Sequence, residues 1–336
     1  MRRLPTSSVP LPGRPILFLL NHAPIVLCAV VFAVFGMLSA TFLEPRNLVN
    51  ILIQSSALAI VATGMTYVLV TGGVDLSVGS VMYAAVAVSG VLIFAGQPIW
   101  LGAMAAVGVG ALAGALNGLF ITRVRAVPFI VTLATLFVWR GFGLWLTNTR
   151  AKNMPAAVTG LGAATVAGVP APIVVFTLVC VVAHVMLTRT PFGRQLYALG
   201  HDPEAARKAG IDVGLRLFTV YVLAGVCAAV SGLVALSQTG AVSPSFGQQR
   251  EFAAIAAAVL GGTSLFGGRG NVLPGTVLGA VLIQAVENGL VIINANPYVY
   301  PLVTSGIIFV AVLLDSTRTR LLATLTGRHV GMDGTA

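Results

Sequence analysis

The chain has 336 residues, a formal net charge of +10, a hydrophobic content of 57% and a charged content of only 8%. Soluble domains carry roughly 25% charged residues, so a globule of this size has too few charges to cover its surface, and the mean hydropathy of +0.97 places most of the chain in lipid. A secreted enzyme, an outer-membrane barrel with its alternating segments of about ten residues, and a built-in ATPase, which needs a G-x-x-x-x-G-K-[ST] loop that occurs nowhere here, do not fit.

Taken in chain order, the start MRRLPTSSVPLPGRP is basic and Pro-rich, and lacks the small-residue cleavage site of a secretory signal. It reads as a tail over residues 1–15. Apolar runs bounded by Pro, Gly, Asn or charge then follow. The first covers 16–40, interrupted by Asn21, His22 and Pro24. The next are 51–71, 78–95, 99–122 and 129–146, then a short one at 173–187. The last four are 217–237, 252–266, 273–293 and 299–314. The expectation is an all-α polytopic membrane protein of about ten transmembrane helices, with a membrane domain over 16–315 and a second tail over 316–336.

An even number of crossings puts both termini on one side. Of the 19 Lys and Arg residues, Arg46, Arg150, Lys152 and Arg250 then fall on the far side and Arg140 falls inside a span. The remaining 14 share the side of the termini. Basic residues collect on the cytoplasmic side, so both termini are expected to be cytoplasmic. The charge therefore marks orientation rather than nucleic-acid binding. Cys28, Cys180 and Cys227 lie within apolar runs, at spacings that suit no metal site.

Two connections are long. The external one, 148–171, is rich in Ala, Gly and Thr. The cytoplasmic one, 188–216, is the most polar segment of the chain and contains HDPEAARKAG. There Asp202 is placed to cap a helix, Pro203 to begin it and Glu204 to favour its positive end. Ala205, Ala206, Arg207 and Lys208 are good helix formers, and Gly210 ends the run. A short, sharply bounded helix of this kind suits docking into a partner's groove. The plainer reading is a solvated helix on the membrane surface.

Within the apolar regions, Thr71–Ser80 holds three glycines, three hydroxyl residues and Asp75. An ionisable group near lipid invites a functional reading, although capping of the following helix accounts for Asp75 equally simply. Residues 259–275 carry six glycines, which suits close helix packing or a re-entrant turn. Gln54, Asn117, Thr132, Thr135, Gln284, Glu287 and Asn288 sit inside spans, where most such residues bond neighbouring helices. Gln284, Glu287 and Asn288 share one helix face. Glu287 is expected near the outer interface, paired with Arg140 or Arg250, or facing water. Asn117-Gly118-Leu119 and Asn288-Gly289-Leu290 echo each other, as do Gly72-Gly73 and Gly267-Gly268, at spacings too unequal to establish a repeat.

These stretches resemble the permease subunits of bacterial ABC importers for monosaccharides, the ribose/xylose/arabinose group. The resemblance lies in NLVNILIQSSALAIVATGMTYVLVTGGVDLSVGS (47–80), ALNGLFITRVRAVPFIVTLATLFVWRGF (115–142), TPFGRQLYALGHDPEAARKAGI (190–211) and EFAAIAAAVLGGTSLFGGRGNVLPGTVLGAVLIQAVENGL (251–290). It implies a transport subunit of the bacterial inner membrane with no cofactor of its own. Two permease copies would form the pathway, a periplasmic binding protein would deliver sugar, and a separate cytoplasmic subunit would hydrolyse ATP. The tract Glu204 to Gly210 is similar to the E-A-A-x-x-x-G pattern of importer coupling helices, so the ATPase contact is expected there, with the Ala206 face and the Gly210 end inserted. Gln54, Asp75, Ser77, Asn117, Glu287 and Asn288 are the candidates for the pathway. A secondary carrier driven by an ion gradient, and an ABC permease for nucleosides, are the competing readings.

Overall fold

The computed structural model describes residues 23–300 and, beyond them, residues 302, 303, 305–307, 309, 310 and 313. The expected tails at 1–15 and 316–336 lie outside the described residues, as does the start of the first expected span. The described chain is mostly helical. Helix α1 is Ala23–Leu38, α2 is Pro45–Val70, α3 is Val78–Phe94, α4 is Ile99–Thr122 and α5 is Pro128–Thr147. The short α6, Ala156–Ala163, precedes α7, Ala171–Arg189. Two small helices, α8 (Pro191–His201) and α9 (Pro203–Lys208), lead to the long α10, Val213–Thr239. The series ends with α11, Arg250–Leu260, and α12, Val277–Ile292, the latter entered through a π turn at Val272–Thr276. Two tiny antiparallel ribbons decorate one end. Strand β1 (Lys152–Asn153) pairs with β4 (Ala241–Val242), and β2 (Thr165–Val166) pairs with β3 (Val169–Pro170).

Local chemistry sets many of these boundaries. Pro45, Pro128, Pro191 and Pro203 open helices at the first position, where no amide hydrogen is needed. Gly240 closes α10 in the left-handed region at φ 68°. Among the described residues, six helical segments are long and apolar enough to cross a bilayer: α2, α4, α5, α7, α10 and the stretch Val272–Ile292. The apolar α1 and α3 are shorter. One expected span differs. Residues 252–266 do not form one crossing helix, because α11 stops at Leu260 and the chain turns at Gly261 and Gly262. At 1.5 Å per residue α11 reaches about 16 Å, half of a bilayer core of about 30 Å.

The core is built around α2, whose central residues from Ser55 to Val70 are all buried. Helix α10 packs between α2 and α4. Its closest approach is to α4, along Gly110, Gly114 and Gly118. A Cβ placed on Gly114 would strike the Tyr221 carbonyl, so only glycine permits this backbone contact.

Two ends of the bundle can be told apart. At one, which we call the ribbon end, Lys152 lies 5.8 Å over the Phe94 ring and β1 meets β4. At the other, α8 packs beneath the C-terminal end of α2, and α9 packs against α8. The amide of Gly268 donates to the Val70 carbonyl (2.9 Å), and Gly200 approaches the same carbonyl. The hydroxyl of Tyr197 donates to the Gly270 carbonyl (2.7 Å), so α8 is fastened to the glycine-rich turn between α11 and α12.

Candidate functional sites

The polar loop forms the helix that its sequence suggests. Asp202 Oδ1 accepts from the Glu204 and Ala205 amides, both at 2.9 Å, and these bonds, that of Ala205 foremost, hold its carboxyl below the usual range. Glu204 and Lys208 pair at 2.9 Å on the exposed face. Gly210 adopts φ 83°, and the Ile211 amide closes on the Ala206 carbonyl. The expectation for Ala206 needs correction. Its side chain is 3% exposed and packs into the chain itself, so it presents no inserting face. Glu204, Ala205, Arg207, Lys208, Ala209 and Gly210 are exposed, as are Asp202 and Pro203 at the start.

The pathway candidates separate into two clusters. In the first, Asp75 is 1% exposed and its Oδ1 accepts from both the Ser77 amide (2.8 Å) and the Ser77 hydroxyl (2.6 Å). Asn117 on α4 donates to the Ser77 hydroxyl oxygen (2.9 Å), and Thr135 on α5 donates to Asn117 Oδ1 (2.7 Å). Thr132 donates to the Val74 carbonyl (3.3 Å). The non-helical segment between α2 and α3 is thereby tied to α4 and α5. Asp75 braces the turn ahead of α3 and does not bond the helix's own first turn, since Ser77 is the N-cap.

The second cluster joins α2 to α12. Gln284 donates to Gln54 Oε1 (3.1 Å), and Asn47 donates to Asn288 Oδ1 (3.0 Å). Glu287, on the same helix, is half-buried. Arg140, one partner expected for it, is engaged elsewhere. Arg140 donates to the carbonyls of Phe246 (2.6 Å) and Pro244 (3.4 Å) and lies 5.1 Å over the Tyr83 ring.

Sequence reasoning missed the stretch that Arg140 holds. Residues 243–249 form an irregular segment that joins the ribbon end to α11. Val242 packs beside Gly90, while Gly247 packs against Gly79. From Gly90 to Gly79 is about 16 Å along α3. The segment therefore runs from the ribbon end into the middle of the bundle, and Arg250, expected in an outer loop, starts α11 there. The one available signal was Arg140 itself, a cation inside an apolar run with no carboxylate in its own span.

An irregular polar segment at this depth is tolerated only where it is buried in protein or lines water. Long apolar helices, one of them broken within the bundle, and a capped polar helix at one end suit one class of protein: a polytopic helical transport subunit. The comparisons specify it further. The family described as branched-chain amino acid transport system / permease component matches residues 47–313, and the chain belongs to it. The ribose import permease protein RbsC of Bacillus subtilis is 37% identical over 296 residues, covering 85% of this chain and 89% of that protein. The D-allose transport system permease protein AlsC of Escherichia coli is 34% identical over 302 residues, covering 89% and 92%. The xylose transport system permease protein XylH of Escherichia coli is 31% identical over 368 residues, covering 90% and 93%.

Proposed function

We propose that this chain is the membrane-spanning subunit of an ATP-driven importer in the bacterial inner membrane and that it translocates a monosaccharide. The observation that carries the reading is the nearly end-to-end match to permeases named for ribose, allose and xylose. The family description mentions branched-chain amino acids, but these similar proteins are sugar permeases. A neutral sugar also suits the hydroxyl and amide groups that dominate the polar clusters. The chain itself transports and performs no bond chemistry. A separate ATPase subunit hydrolyses ATP, a periplasmic binding protein delivers the sugar, and a second copy of the permease completes the pathway.

In this reading the chain crosses the membrane ten times with both termini in the cytoplasm. The interrupted stretch 243–260 counts as one crossing, and the tenth falls on the last helical residues. The basic residues of 188–216 support a cytoplasmic α9 end, and the exposed face of α9 from Glu204 to Gly210 is the ATPase contact.

The test is reconstitution. The chain, co-expressed with the ATPase and binding protein from its own operon, is placed in liposomes, and uptake of D-ribose, D-allose, D-xylose, D-fructose and L-leucine is measured. ATP-dependent uptake of one sugar is expected. Uptake without ATP, driven by an imposed ion gradient, would instead establish a secondary carrier, and uptake of leucine alone would replace the sugar assignment.

A further inference from the structure

The irregular segment 243–249 carries more than a break in a helix. Ser245, Gln248 and Gln249 are exposed on the surface of the single chain, at the depth where α3 and α11 begin. Lipid cannot satisfy an exposed backbone or amide side chains there. The segment is also held in shape. Arg140 binds the carbonyls of Pro244 and Phe246, and Gly79 and Gly247 pack carbonyl to backbone so closely that a Cβ on either would collide. Gln249 sits at φ 61°, a left-handed conformation uncommon for a residue with a side chain. Strain of this kind persists where the surroundings fix it, and it gathers at ligand-binding positions.

A second observation points to polar occupancy. Glu251, in the first turn of α11, is 7% exposed, and its Oε2 lies against Gly79 with no hydrogen-bond partner among the described residues. The hydroxyl of Ser80 is likewise buried and unpartnered there. Buried acceptors are costly when unsatisfied, so this junction is built for hydrogen bonds that the single chain does not complete.

We propose that segment 243–249 is the specificity-determining wall of the transport pathway, with Ser245, Gln248 and Gln249 bonding the hydroxyls of a passing neutral polyol. Arg140 is its positioning residue. The proposal deepens the sugar-permease reading and rests on it. Serine and glutamine each donate and accept, which matches a sugar hydroxyl.

The experiment uses the full reconstituted transporter. Ser245→Cys and Gln248→Cys are exposed to a membrane-impermeant methanethiosulfonate, with Leu178→Cys on the apolar outer face of α7 as reference. The two segment positions are expected to react at least tenfold faster than the reference, and the transported sugar is expected to slow them where L-leucine does not. In parallel, Gln248→Leu is expected to raise the KM of that sugar about three- to tenfold, the scale of one neutral hydrogen bond, with kcat within twofold. Arg140→Met should change the ratio of KM values between D-ribose and D-xylose, and Arg140→Lys should restore it. Labelling no faster than at the reference, or fast labelling with unchanged KM values, overturns the proposal even when the wild type transports sugar. If the wild type transports no sugar, the functional reading fails, and labelling still decides whether the segment lines water.

Discussion

Among single residues, Asp75 shows how an ionisable group is held inside an apolar protein. One oxygen takes two donors from Ser77, and Asn117 and Thr135 extend the chain of bonds into α4 and α5. Both donors go to Oδ1, an atom that asparagine retains. Asp75→Asn is therefore expected to fold and transport, whereas Asp75→Leu strands two buried donors at a cost of roughly 1–3 kcal/mol. Thermal stability in detergent, read by size-exclusion chromatography after heating, checks this; equal losses in both variants would mean that the charge itself is required. The sequence offered capping and a pathway role for Asp75, and the bonds place it as a brace for a turn. What could not be read was the partner set, because Asn117 and Thr135 are distant in the chain and meet Ser77 only through the packing of three helices. Ala206 was misjudged for a similar reason. The spacing of a six-residue helix does not reveal which side faces its own protein.

Whole helices were legible wherever an apolar run and a helix coincide. The expected runs 78–95, 99–122 and 129–146 differ from α3, α4 and α5 by a residue or so at either end. Residues 252–266 failed because composition reports apolarity and not continuity. The chain there enters through the polar stretch at 243, and its helix ends at Leu260. Packing between elements was visible only as a glycine count. The α4–α10 seam turns that count into geometry, with Gly110 against Gly225, Gly114 against the Tyr221 carbonyl and Gly118 against Phe218. Gly114→Val is expected to force the two helices apart and destabilise the protein by about 1–3 kcal/mol, read as a lower midpoint of thermal unfolding. Gly108→Val, on the open side of the same helix where a Cβ meets nothing, is the matched control.

For the molecule as a whole, the fastening of α8 to the bundle matters most. Tyr197 ties α8 to the Gly270 carbonyl, and Val70 receives the amide of Gly268. A push on α9 thus reaches the turn that joins α11 to α12 without passing through a flexible loop. Tyr197→Phe removes one bond and little volume. It is expected to leave assembly with the ATPase intact while reducing sugar molecules imported per ATP hydrolysed, measured in the same liposomes; an unchanged ratio would show that α8 carries no load. The meeting of α3 and α11 has a different consequence. Both helices point their N-termini at the Gly79–Gly247 contact, and each contributes about half a positive charge. The Arg140 guanidinium, held on the Phe246 and Pro244 carbonyls, adds to this positive bias, and the Glu251 carboxyl offsets it in part. If this segment lines the sugar path as proposed, a neutral solute is indifferent to such a field while a small cation is disfavoured by it, so a passage for sugar need not also be a leak for ions.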